Sequence, residues 1–378
     1  MEVTYAETAW HVFSAFAVFL IGIAAVLKHP FRAISAKLSI ALYLWHSFFC
    51  LYYARFALYN SADARGYFVR SFYPEPTFRL GTKAVDAITS VFTQFIGLSY
   101  LGTFLVYNVI GTIGLLAFTA ALRETLGGKS RRVRLYASIL SFLPGISFWS
   151  VAIGKDAPAL LGTGLLIWAL LDLRRRWVLV LLSIAIYAIV RPHIVAIICC
   201  ALVFSVVVSG RMGAVKKVVF LAVLSVPSVF AFQLGMASIG LGASEAYSDI
   251  GQFIEYRQSV NLDGGSSVDI SSMILPQQMF YYAFMPLFVG AGGLLGLVAS
   301  VENAFLLFIV SISAYSVWQR QSCLPPTAKW FYFFYALALW IIFAMTTANL
   351  GLALRQKWML MPFLLIFCLS YLPERQRK

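Results

Sequence analysis

Two short charged sequences interrupt otherwise apolar stretches of this 378-residue chain. They are Gly154-Lys155-Asp156, inside FWSVAIGKDAPALLGTGLLIWALL, and Arg191-Pro192-His193, between WVLVLLSIAIYAIV and IVAIICCALVFSVVVSG. Lysine and arginine in such places can hold an anion, aspartate can offset the neighbouring lysine, and histidine can exchange a proton near neutral pH. A charge at membrane depth costs about 2.5 to 3.5 kcal/mol unless it is paired or hydrated, so residues of this kind mark a functional site by default. The plainer alternative is that Lys155 and Asp156 cap a hairpin and that Arg191 snorkels to lipid head groups.

Other candidates lie in polar segments. YNSADARGYFVRSFYPEPTFRLGTKAVDA (59–87) contains Asp63, Arg65 and Tyr67. Asp63 and Tyr67 share a face if a helix begins at Ala62, whereas Ser61 or Asp63 could instead only cap that helix. TTANLGLALRQKWMLMPF (346–363) sets Asn349, Arg355 and Lys357 at another turn. Glu302 stands within an apolar run and requires a partner, for which a cation of a hairpin tip is the expected choice; a structural ion pair is the alternative. The polar segment 241–278 reads equally as a cover over a site and as a solvated loop. The five cysteines have no ligand-type spacing, so neither a disulfide framework nor a zinc site is expected; no cofactor is expected either.

These residues must be positioned by membrane helices. The composition is 61% hydrophobic and only 12% charged, against about 25% charged in a soluble domain. The net charge of +14 is dispersed among apolar runs, which offers a nucleic acid no basic surface, and no nucleic-acid partner is expected. MEVTYAET lacks a basic n-region, so the first apolar helix is expected to be retained. With about 20 residues needed per crossing, we expect an all-α polytopic protein with a single transmembrane domain over 1–378 and about 11 transmembrane helices. Their approximate limits are 10–27, 36–55, 99–121, 135–151, 157–171, 177–190, 194–209, 218–240, 291–317, 330–348 and 358–372. The stretch 85–98 reads as a helix lying in the interface.

The basic clusters at 28–32, 129–134, 174–176 and 211–217, Arg320 and the tail ERQRK fall at alternate loops. The positive-inside rule then makes those loops cytoplasmic, with the N-terminus outside and the C-terminus inside. Residues 135–171 and 177–209 become two short hairpins with charged tips at the extracytoplasmic side. Their limbs of 14 to 18 residues span about 21 to 27 Å, which leaves both tips at similar depth. Lys155, Arg191, Arg65, Arg355 and Lys357 are then outer-face cations, where an anion is the expected ligand.

The D-x-x-x-Y element Asp63 to Tyr67, the two basic tips and the N-x-G-x-x-x-R-x-K turn from Asn349 to Lys357 together resemble bacterial polytopic membrane glycosyltransferases. The similarity is to the GT-C class and to Wzy or EpsG-like polysaccharide polymerases. It implies transfer of a sugar or oligosaccharide from a polyprenyl phosphate or pyrophosphate carrier to an acceptor, on the extracytoplasmic face of the bacterial inner membrane. The implied partners are the polyprenyl-linked saccharide, membrane lipid and other proteins of cell-envelope polysaccharide assembly. Carried onto this chain, the resemblance nominates Asp63 as the acceptor-side catalytic carboxylate, with His193 second. Arg65, Lys155, Arg191, Arg355 and Lys357 become phosphate-binding, supported by Tyr67, Asp156, Glu302 and Asn349. The chain departs from the pattern in having no D-x-D or Asp-Glu pair in the first loop, so a metal-independent reaction is expected.

Such chemistry needs these residue types. A phosphate leaving group requires no protonation, and cations in a partly dry site stabilise the charge that grows on it. A positioned carboxylate can take the proton of an acceptor hydroxyl, an effect of about 10² to 10⁴ in rate. Tyr67, Phe72 and Tyr73 could stack on sugar rings or simply line the site. A transporter or flippase for lipid-linked sugars or other anions would also use cations in a membrane cavity. An acyltransferase using His193 and a purely structural membrane protein are further alternatives.

Overall fold

The computed structural model describes residues 3–60, 62–73, 78–209, 213, 250–260, 266–289 and 292–375. Among these residues the chain is helical and has no strand, only isolated bridges. Four helices, Ala9–Leu27, Tyr100–Leu126, Gly293–Gln319 and Pro326–Thr346, are long and apolar enough to cross a membrane. A fifth results if the bent pair Leu350–Met359 and Met361–Ser370, with 58° between its halves, is one span. The chain is therefore an all-α membrane protein. The crossing expected at 218–240 lies outside the described residues.

The chain divides into two compact units, Met1–Glu124 with Leu135–Pro192, and Thr125–Arg134 with His193–Lys378. In the first unit, α1 (Ala9–Leu27) leaves most of its residues uncovered while most of α5 (Tyr100–Leu126) is buried, so α5 is the central helix and α1 faces outward. α2 (Ala36–Tyr59) is tied to α1 by the Tyr43 hydroxyl, which donates to the Phe19 carbonyl at 3.0 Å. The short α3 (Asp63–Arg70) and α4 (Thr82–Ser90) follow, and α4 runs into a π-turn over Val91–Phe95. This is the segment that its sequence suggested as an interfacial helix.

The expected limb 135–151 is not one helix. α6 (Arg131–Ser141) stops, and α7 (Pro144–Ser150) restarts after Phe142 and Leu143. Pro144 explains the break: it has no N–H to donate and holds Leu143 extended at φ −61°, ψ 133°. Beyond the tip, α8 (Asp156–Leu171) returns, and α9 (Leu173–Val190) packs along it. The Ser183 hydroxyl donates to the Gly162 carbonyl at 2.7 Å and the Thr163 and Tyr187 hydroxyls meet at 2.6 Å, each bond worth about 0.6 kcal/mol in a membrane bundle. α8 meets α5 where both carry glycine. A Cβ on Gly164 would stand 2.1 Å from the Gly114 carbonyl oxygen, and one on Gly114 2.6 Å from Leu160.

One end of the first unit collects polar groups. The Arg176 guanidinium lies 3.8 Å from the Trp168 ring centroid and donates to Glu124 at 3.0 Å. Trp168 donates its indole N–H to the same carboxylate at 2.7 Å, and Arg123 reaches the Ala33 carbonyl.

The second unit holds α10 (Pro192–Val208), α11 (Ile250–Val260), α12 (Leu275–Phe284), α13 (Gly293–Gln319), α14 (Pro326–Thr346), α15 (Leu350–Gln356) and α16 (Met361–Ser370). α14 is its centre, packed on α12 and α16. Tyr335 meets Phe363 edge-on at 4.6 Å between ring centroids, and the Trp340 indole donates to the Met279 carbonyl. The segment 128–130 pairs through its backbone with the C-terminal residues: Ser130 donates to Pro373 and Arg375 to Gly128.

Candidate functional site

In the first unit the structure brings the two hairpin tips and the first polar loop together. Asp156 opens α8 and Arg191 ends α9, so the antiparallel packing of these helices sets them side by side. Arg191 donates to the Asp156 carboxylate at 2.7 Å, with each side chain 10% exposed. The sequence had given Asp156 to its neighbour Lys155; the contact across the helix pair follows from residues thirty-five positions apart. Pro192 at the first position of α10 holds Arg191 out of the helix, at φ −147°, ψ 67°. Arg191 keeps one donor in reserve: its Nε is buried and has no hydrogen-bond partner among the described residues.

Gly154 turns the first tip at φ 152°, a conformation that favours glycine, and a Cβ there would stand 3.2 Å from the Tyr67 ring. Tyr67 is buried and covers the tip, with the Arg70 guanidinium 4.7 Å from its ring centroid. Arg70 in turn donates through Nε to both carboxylate oxygens of the buried Asp86, at 3.0 and 3.2 Å. The loop before α4 completes the enclosure. A Cβ on Gly81 would lie 3.8 Å from the Lys155 Nζ, and the Gly81 N–H donates to the Ile189 carbonyl at 2.7 Å.

Asp63 is the first residue of α3, exposed and one turn from Tyr67. The N-cap position belongs to Ala62, with no side-chain cap bond, so Asp63 is not the cap. Arg65 is exposed on the face of α3 that carries Ala62 and Val69 and lines an open cleft of about 540 Å³. Of the three aromatic residues considered for stacking, Tyr67 is buried, Phe72 half-buried and Tyr73 exposed.

The remaining candidates belong to the second unit. His193 is the second residue of α10 and half-buried. Glu302 does find a cation, but it is Lys357 of the terminal turn, 3.6 Å away, rather than the hairpin-tip cation the sequence suggested. Lys357 is fully buried and also donates to the Asn303 side chain, whose own amide donates to the Pro286 carbonyl. Its ammonium is thus engaged inside the protein, in contrast to the outer-face cation expected from the sequence. Asn349 caps α15, accepting from the Leu352 N–H at 3.1 Å and from the Ser266 hydroxyl at 3.0 Å. Arg355 is half-buried in the last turn of that helix, where a cation suits the helix dipole. In the polar segment 241–278, Asp269 is exposed, and the Ser271 hydroxyl and N–H hold its carboxyl below the usual range.

The structure adds a buried polar network that motif reading passed over. His46 of α2 meets the Asn108 Oδ1 through Nδ1 at 2.7 Å and the Ser150 hydroxyl through Nε2 at 2.9 Å. The Asn108 amide nitrogen donates to Ser47, which leaves its oxygen facing His46 and assigns the proton to Nδ1. Ser150 ends α7, so this network fastens the limb just before the tip. Histidine and asparagine standing alone in apolar runs were the available signal.

Among the described residues no group of three or more His, Cys, Asp or Glu is arranged to hold a metal ion. Set against family models, curated proteins and solved structures, the chain matches none of them.

Proposed function

We propose that the protein is a membrane glycosyltransferase or polysaccharide polymerase that uses a polyprenyl phosphate or pyrophosphate donor without a catalytic metal. The reading is supported by one observation above the others. Lys155 and Arg191 are gathered at one end of the first unit, beneath a polar helix that begins with an exposed carboxylate, Asp63.

In the proposed reaction the acceptor hydroxyl loses its proton to Asp63. Its oxygen forms a bond to the anomeric carbon as the bond from that carbon to the phosphate oxygen breaks. The electron pair leaves with the phosphate, whose growing charge Lys155 and the unused Nε of Arg191 stabilise. Arg65 faces the cleft on the other side of α3 and takes no part at the donor phosphate. Arg355 and His193 are secondary candidates of the second unit, and Lys357 is omitted because Glu302 and Asn303 already hold it.

The proposal includes a single membrane domain with about eleven crossings, N-terminus outside, in a bacterial cytoplasmic membrane. Segments assigned to the same side support it: Gly128 is paired with Arg375, and Arg123 with the loop at Ala33. Membrane lipid and proteins of envelope polysaccharide assembly are the proposed partners.

A transporter or flippase is the second reading. A buried Glu302–Lys357 pair beside a bent span favours it, because broken helices with intramembrane charges are common in alternating-access proteins. One experiment separates the two. Purified protein is incubated with a polyprenyl pyrophosphoryl saccharide and the products are analysed by mass spectrometry. A new glycosidic bond, lost in Asp63→Asn while expression and folding persist, is the expected result. Movement of an unchanged lipid-linked saccharide across a vesicle membrane would replace the enzyme by the transporter, and full activity of Asp63→Asn would remove that residue from the mechanism.

A further inference from the structure

A transferase must seat two substrates, and the hairpin tips account for one charged group. α3 has a second functional face. Residues Ala62, Arg65, Gly66 and Val69, spaced by three and four, turn away from Tyr67 and line the cleft of about 540 Å³ together with Tyr59 and Asn60 at the end of α2. That volume falls within the usual range for small-ligand sites, about 300 to 1,000 Å³.

The chemistry of the cleft is specific in sign. No carboxylate is among its lining residues that the structure describes. Arg65 is exposed and makes no hydrogen bond or ion pair with another described residue. A second cation stands over the aromatic wall: the Arg55 guanidinium lies 5.9 Å from the centroid of the Tyr59 ring, and Tyr59 is 76% exposed. Tyr5 is within electrostatic reach of Tyr59 and Arg55. Burial, then the neighbouring Tyr59, pushes its hydroxyl pKa up, and Arg55 pulls it back. One guanidinium group, an exposed aromatic ring and a side-chain amide thus border one opening, with a second cation, Arg55, over the ring.

We infer that this cleft binds the acceptor saccharide, and that the acceptor carries a carboxylate: Arg65 takes the acidic group while Tyr59 stacks on a sugar ring. The inference rests on the glycosyltransferase reading for the word acceptor, although the binding site itself does not. Arginine's planar fork suits a carboxylate, which it can bind through two parallel bonds. An aromatic face with no partner on its outer side suits the apolar face of a pyranose. A phosphatidylglycerol head group offers the same negative charge, but it has no ring for Tyr59.

The test uses the full chain in nanodiscs of neutral phosphatidylcholine, titrated with glucuronosyl-glucose and with its uncharged counterpart cellobiose. Glucuronosyl-glucose is expected to bind roughly tenfold more tightly than cellobiose, the size of one charge-assisted bond. Arg65→Gln should remove that preference, and Tyr59→Ala should weaken both ligands. Equal binding of the two sugars, binding of neither, or an unaltered preference in Arg65→Gln would each overturn the inference. So would loss of sugar binding in nanodiscs enriched in phosphatidylglycerol, which would make the cleft a lipid head-group site. A transfer assay on the unsubstituted protein separates the two proposals. Sugar binding retained in a protein that shows no transfer under any condition would overturn the enzyme reading alone. Transfer with no charge preference in the cleft would overturn this inference alone.

Discussion

The Asp156 carboxylate and the Arg191 guanidinium hold each other at 2.7 Å in a nearly dry setting. Attraction between such groups is strong at low dielectric, but it does little more than offset the loss of their hydration. Breaking such a pair is more harmful than replacing it. We therefore expect Asp156→Asn and Arg191→Met each to destabilise the first unit by about 3 to 5 kcal/mol, and the double variant by clearly less than the sum. Thermal unfolding of the purified variants in detergent measures this, and additive losses would show that the two charges do not depend on each other. The Glu302–Lys357 pair obeys the same rule. Lys357→Met should unfold the second unit more readily than Glu302→Gln with Lys357→Met together, because the double variant leaves no unpaired buried charge. Residue types alone made these positions candidates, since charges are rare at membrane depth. Which cation meets which anion was not legible, because the partners are separated by 35 positions in one pair and 55 in the other.

Helix positions decide the geometry one level up. The α5–α8 contact is so close that Gly164 has no room for a side chain, with the Gly114 carbonyl oxygen 2.1 Å from the place of a Cβ. Small residues are what let membrane helices approach at this distance. Gly164→Leu should push α8 away and carry Asp156 and the tip with it. Activity and thermal stability are both expected to fall, whereas the same change at Gly128, which has nothing within 4 Å of a Cβ, should be neutral. A folded, fully active Gly164→Leu protein would show that the tip tolerates displacement. The helix limits of α1, α8 and α10 followed from apolar run length and flanking charge to within two residues, whereas α2 and α5 run four to five residues past their expected ends. The broken limb α6–α7 was harder to read, although Pro144 was in view. A proline in an apolar run can kink a helix or end it, and the outcome depends on packing: here Ser150 is fastened to His46 and its carbonyl is packed where Gly111 leaves space.

At the scale of the whole molecule, the proposed topology makes a strict claim. A single cysteine at position 128, in a protein whose five native cysteines have been replaced, should label only after the membrane is made permeable to the reagent. Labelling from outside in intact cells would invert the proposed topology. By itself the sequence determined that this is an all-α membrane protein, and it found the unusual charges, because the cost of placing a charge in hydrocarbon is written into composition and spacing. Tertiary structure alone decided that Arg191 meets Asp156, that Tyr67 closes over Gly154, that Lys357 is buried on Glu302, and that α3 has a second, cationic face beside Tyr59. Those outcomes depend on which helices become neighbours, and neighbours far apart in sequence are selected by shape and hydrogen bonding rather than by local pattern.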